Sequence, residues 1–246
     1  MITNLRYILL LLALLVTSIG FVDARENSPN GISFYTLRVI YPESSKQGVS
    51  LTAYNKSPAA YLMQSWIRPV DLATGDVDTA WQGTPVMPFI VTPPLVRFEA
   101  NSELTLRIRR NDIPLPTDRE SVFFISMKAL PAQQPNADQM VMTVVSNMKL
   151  FYRPNGLAKR AVAEQAKKLT FSQRGNQLIA TNPTPYWLTF SHLEIGGTEL
   201  PKPGLRRMVP PFGKQTYDFP TSVTGKVTWQ LIDEDGWNTP AAQQSL

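Results

Sequence analysis

The chain has 246 residues, 24 lysines and arginines against 19 acids, 43% apolar residues, one histidine and no cysteine. Without cysteine there are no disulfides, no thiol nucleophile and no thiolate metal site. The formal charge of +5 is scattered through the chain, so it reads as solubility and not as a nucleic-acid surface.

The first residues predict export. Met1–Arg6 carries one positive charge, Tyr7–Val16 is an apolar run, and Val22-Asp23-Ala24 ends in small residues. That is the pattern of a secretory signal peptide spanning 1–24, cut after Ala24. An apolar core of about ten residues is too short for the roughly 30 Å of hydrocarbon in a bilayer, and no later segment is longer, so no membrane insertion is expected. The remainder suits one large domain or two of about 100 residues.

Short strand patterns then dominate. Ile32–Tyr41 is rich in aromatic and β-branched residues, and Val49–Asn55 alternates. Tyr61–Ile67 follows, with Trp66 expected in a core. Leu104-Thr105-Leu106-Arg107-Ile108-Arg109 places Leu104, Leu106 and Ile108 inward, and Ser121–Ala129 comes next. Turn signals at 55–58, 74–76, 114–118 and 131–136 separate these runs, which is sandwich spacing. Leu157–Lys168 has the one helical composition after the leader. Strand patterns resume at Leu169–Gln173, Gln177–Asn182, Trp187–Ile195, Gln215–Phe219 and Lys226–Ile232. The fold class is therefore all-β, with two β-sandwich domains over 25–154 and 155–246, the second including its linker.

Motifs for catalysis are missing. His192 sits inside an alternating strand without an evident triad or metal partner. Asp233-Glu234-Asp235-Gly236 resembles a fragment of a calcium loop but lacks the full ligand series. Asn55-Lys56-Ser57 matches a glycosylation sequon, a match expected by chance in a chain this long. No metal and no cofactor is expected, and the chain reads as a binding module, not an enzyme.

One stretch resists the bland reading. QMVMTVVSNMKLFYRP (Gln139–Pro154) puts Met140, Met142 and Val144 on one face and has no charge until Lys149. An apolar strand of this kind either lies in a core or is an aggregation hazard.

Four motifs address that hazard. Thr36-Leu37-Arg38-Val39-Ile40-Tyr41-Pro42, Phe89-Ile90-Val91-Thr92-Pro93-Pro94-Leu95, Leu115–Ser121 and Met148–Pro154, in this order, resemble the periplasmic pilus chaperones of the chaperone–usher pathway. Asn182-Pro183-Thr184-Pro185-Tyr186 adds a fifth match in the second domain. The resemblance covers the chain after the leader. It implies two immunoglobulin-like domains at an angle, of the PapD type. It implies a periplasmic chaperone that lends a strand to pilus (fimbrial) subunits and hands them to an outer-membrane usher, without ATP. Met140, Met142 and Val144 match the lent side chains. Arg38 and Lys149 match the pair that anchors the subunit's C-terminal carboxylate. Glu120 and Arg153 match an interdomain salt bridge whose third member falls at Glu234, with Asp233 and Asp235 as competing acids. Leu62 matches a usher contact. A self-capping dimer of the free protein is also allowed.

Two features qualify the resemblance. Arg68–Pro88 is about ten residues longer than the family pattern, and Asp76–Trp81 could extend a hairpin there. The brief connection from Ala129 to Met140 resembles the short-loop branch. The competing reading is a two-domain immunoglobulin-like adhesin or structural fibre component, which should not need Arg38 and Lys149 together.

Overall fold

The computed structural model describes residues 31–132, 143–220 and 223–246. The expected signal peptide, residues 1–24, lies outside them, as do Met140 and Met142. The first lobe contains β1 (Ile32–Ser33), β2 (Arg38–Pro42), β3 (Val49–Asn55), β4 (Tyr61–Arg68), β5 (Phe89–Thr92), β6 (Leu95–Phe98), β7 (Ser102–Arg110), β8 (Ser121–Pro131) and β9 (Val144–Arg153). They form two sheets, β1-β3-β7-β5 and β2-β9-β8-β4-β6. Val39, Leu51, Ile67, Phe89, Leu106 and Ile125 fill the space between.

Period-two alternation accounts for most of these strands. In β7, Leu106 and Ile108 are fully buried, and Leu104 packs at the margin of the same core. In β4, Met63, Ser65 and Ile67 face inward, so Trp66 is on the opposite face and half-buried. The expectation of a core Trp66 is thereby corrected. β8 is apolar on both faces for a different reason. Ile125 and Met127 face the sandwich core, while Val122 joins Phe151 and Met208 of the second lobe in a separate cluster.

Ile32–Tyr41, expected as one strand, is two. Ile32 and Ser33 pair antiparallel with Asn55 and Tyr54, whereas Arg38–Pro42 pairs parallel with Lys149–Arg153 in the facing sheet. One straight strand cannot bond to both sheets, so the chain crosses between them over 34–37.

The second lobe holds β10 (Thr170–Arg174), β11 (Gln177–Thr181), β12 (Leu188–Ile195), β13 (Thr198–Glu199), β14 (Met208–Val209), β15 (Lys214–Asp218), β16 (Lys226–Leu231) and β17 (Ala242–Ser245). Its sheets are β10-β11-β15 and β13-β12-β16-β17, with β14 paired to β12. Phe171, Leu178, Phe190, Tyr217 and Trp229 anchor its core. Leu157–Lys168, whose composition allowed a short helix or a charged linker, holds the short helix α1 (Val162–Ala166). Arg160, with φ of +53°, precedes it in a left-handed conformation that ends any helix begun earlier. Val162 and Ala166 are buried, and the Trp229 indole donates to the Ala166 carbonyl at 3.2 Å. Among the described residues no helix is long and apolar enough to cross a membrane.

Candidate functional site

The sheet switch between β1 and β2 shapes the site. From Val144 to Tyr152 β9 pairs with β8, but β2 covers only Lys149–Arg153. From Val144 to Met148 the other edge of β9 is not paired to β2, and Val144 and Val145 are 60% and 44% exposed. The face of β9 that supplies Met148, Leu150 and Tyr152 to the core runs on into Val144 and Ser146. There it borders a cavity of about 240 Å³ walled by Ile32, Phe34, Met63 and Met127. The sandwich is thus open at the end where an apolar strand edge is also exposed, a combination that invites strand addition.

At the foot of that open edge, the register of the parallel pair sets Arg38 beside Lys149. Both line a cleft of about 370 Å³ between the lobes, with Asp76, Thr189, Ser191 and Arg206 around them. Arg38 is buried, with its guanidinium 5.4 Å from the centre of the Phe151 ring. Nη1 donates to the Ile232 carbonyl at 3.0 Å, and Nε is buried without an acceptor. Burial lowers the Arg38 pKa, and the more distant acids Glu234, Asp233 and Glu120 oppose that shift. The Lys149 ammonium donates to the Arg206 carbonyl at 3.4 Å. Burial, and then the neighbouring Arg38 charge, push its pKa down to about 8, with Asp76 pulling the other way. Nearby acids are engaged elsewhere: Glu120 and Glu234 hold Arg153, and Asp76 holds Arg206. Two adjacent cations, Arg38 buried and Lys149 half-buried, can together hold an anion, and a carboxylate fits them.

One strand turn below, Arg153 is fully engaged. Its Nε donates to Glu120 Oε1 at 2.8 Å, Nη2 lies 2.7 Å from the same oxygen, and Nη2 also reaches Glu234 Oε1 at 3.0 Å. Nη1 donates to the Ala158 carbonyl, and the Tyr186 ring lies beneath the guanidinium. Burial works against this charge, and the two carboxylates outweigh it, so the guanidinium is held above its ordinary pKa. Glu120 also ties the lobes directly. Its Oε2 accepts from the Trp187 N–H, and its carbonyl accepts from the Trp187 indole. Among the three competing acids, geometry selects Glu234. Asp233 caps its own turn by accepting from the N–H groups of Asp235 and Trp237, and Asp235 faces Arg160.

Leu62 is half-buried on β4, on the opposite face from Tyr61 and Met63, and lines neither the cavity nor the cleft. His192 stands 3.4 Å from Glu194 on β12, and among the described residues no three potential metal ligands converge. The Asn55 amide is buried and donates to the carbonyls of Ala59 and Glu99, so the folded sequon does not offer it to a glycan. Sequence reading missed Trp187, Asp76 and Arg206. None of the three stands in a motif, and each gains its role from a contact across the lobe boundary.

A two-lobed immunoglobulin-like protein with an open apolar strand edge above a paired-cation cleft defines a class: proteins built to complete another protein's sheet. Comparison with known proteins gives the family. The model for the "Pili and flagellar-assembly chaperone, PapD N-terminal domain" matches residues 31–158, and that for the "Pili assembly chaperone PapD, C-terminal domain" matches 164–243. The chain belongs to the PapD-like family of pilus assembly chaperones. It is 37% identical over 212 residues to the chaperone protein FocC of Escherichia coli, covering 84% of this chain and 86% of FocC. Among solved structures, the E. coli chaperone DraB superposes with a TM-score of 0.72 at 30% identity, covering 88% and 99% of the two chains. A Salmonella enterica structure of the SafA pilin in complex with the SafB chaperone matches with a TM-score of 0.75 at 28% identity, covering 88% and 97%. Family membership favours the chaperone over the adhesin.

Proposed function

We propose that this protein is a periplasmic chaperone that binds pilus subunits by lending them β9 and delivers them to an outer-membrane usher. The observation that carries the reading is the upper edge of β9, unpaired among the described residues, standing directly over the Arg38–Lys149 cleft. A subunit lacking its last strand exposes an apolar groove and unpaired backbone groups, both costly in water. Val144, preceded by Met140 and Met142, fills the groove, while the edge of β9 pairs the backbone. Arg38 and Lys149 hold the subunit's terminal carboxylate and so set the register, since a slip of one residue would turn every side chain to the wrong face. Arg153, Glu120 and Glu234 fix the lobes on either side of the cleft. Residues 1–24 direct export, and the lobes divide at 154–155. The role is non-catalytic, and Leu62 belongs to a usher-facing surface.

Co-expression with a fimbrial subunit tests this. Arg38→Ala and Lys149→Ala should fold normally by circular dichroism and fail to recover the subunit from a periplasmic extract. Normal subunit recovery with both variants would overturn the anchoring role.

A further inference from the structure

The long segment between β4 and β5 is absorbed by neither the fold nor the proposed strand exchange. It leaves the first lobe as a hairpin: Val70 bridges Val77, the Asp78 N–H donates to the Pro69 carbonyl, and Asp71 accepts from the Ala73 N–H and the Thr74 hydroxyl. Its tip reaches the second lobe. Val70 packs on the cluster that contains Met208 and Trp187. Asp76 Oδ2 receives Arg206 Nη1 at 2.9 Å, bridging 130 residues of sequence.

The contact at Gly75 is closer still. Gly75 has φ of +77°, in the left-handed region, and a Cβ there would overlap the Arg206 carbonyl oxygen. Glycine is therefore required twice, for the turn and for the approach. That same carbonyl accepts from the Lys149 ammonium. The hairpin tip, the Arg206 peptide group and the cleft lysine form one continuous stack.

We propose that the 70–78 hairpin is the positioning element for Lys149: Gly75 backs the carbonyl that receives the ammonium, and Asp76 fixes the Arg206 side chain and sets a facing negative charge. This rests on the reading that Lys149 binds a partner's carboxylate. The charged groups that face Lys149 are Arg38 from β2, Asp76 from the hairpin and Arg206 from the second lobe. Asp76 favours the ammonium form, while Arg38 and burial oppose it. The hairpin thereby sets the pH range over which the cleft offers two positive charges.

The test is a titration of free protein carrying ¹³Cε-labelled lysine, with the Lys149 signal assigned by its loss in Lys149→Arg. In the unmodified protein Lys149 should titrate at about 8. Asp76→Asn should move that titration to lower pH at an unchanged melting temperature. Gly75→Ala, which displaces the carbonyl, should move it in the same direction. An unmoved Lys149 titration in Asp76→Asn overturns the proposal even if Gly75→Ala fails to fold.

Binding is then read with a synthetic peptide of alternating valine and threonine, with a free C-terminal carboxylate or amidated. The pH at which carboxylate binding is lost should fall in Asp76→Asn, and an unchanged profile counts against the proposal. Undiminished carboxylate-dependent binding by Lys149→Ala would instead sink the underlying reading, separately from the titration result.

Discussion

Two cationic clusters lie four residues apart on β9, about 13 Å along the strand, and they are built in opposite ways. Around Arg153, two carboxylates, a carbonyl and an aromatic ring meet the guanidinium. Around Lys149, the buried neighbour is another cation, Arg38, which has an unpartnered Nε. A buried charge whose partners are all present is a structural joint. A buried charge that lacks one is what the proposed carboxylate site requires, since its desolvation cost is offset only when the counter-charge arrives.

The sharpest way to break the contrast is to remove each cation and compare stability. Arg153→Met strands Glu120 and Glu234 in the lobe boundary without a counter-charge, and should cost about 3–5 kcal/mol in urea unfolding. Arg38→Met removes a buried charge that no acid among the described residues contacts, and should change stability by less than about 1 kcal/mol while abolishing carboxylate binding. Similar losses from the two variants would erase the distinction between joint and site.

Acid–base behaviour sharpens the same comparison. Lys149 is depressed from 10.5 to about 8 in the free protein, and a bound carboxylate stabilises the ammonium and raises that value. Affinity for the carboxylate should therefore be full below pH 8 and fall as pH rises past it, by about tenfold between pH 7 and pH 9. Isothermal titration against the free and amidated forms of one peptide measures this. A flat profile for the free-carboxylate peptide would mean that Lys149 does not meet the carboxylate. Arg153 has no such window, because its carboxylates hold it charged throughout.

Legibility in the sequence follows the range of the interactions. Alternation exposed the longer strands, because a half-buried strand writes its burial into every second residue, and it missed β5, β6, β13, β14 and β17, which are only two to four residues long. It failed at Trp66, where Met63 and Ile67 carry the inward face and the indole falls on the other. That Arg38 and Lys149 stand side by side was legible through motifs, since each sits in a recognisable run. The break of Ile32–Tyr41 was not legible, because composition does not say which sheet a strand joins. Nor was the choice of Glu234 over its neighbours. A two-residue turn capped by the Asp233 side chain decides it, and all three acids look alike in one dimension. Asp76 and Arg206 were invisible for the same reason: their pairing depends on how the lobes meet.

The smallest expected effect tests the open edge itself. Val144 and Val145 are adjacent, chemically identical and both exposed, but they point to opposite faces of β9. Val144 borders the apolar cavity, and Val145 does not. Neither is buried deeply enough to matter to folding, so Val144→Ser and Val145→Ser should each shift stability by no more than about 0.5 kcal/mol. Under the strand-lending reading only Val144 enters a subunit's groove. Val144→Ser should lower the yield of co-purified subunit, and Val145→Ser should leave it near the unmodified level. Equal losses from both would mean that the subunit reads the exposure of this edge and not its alternation, and the register argument built on Lys149 would lose its purpose.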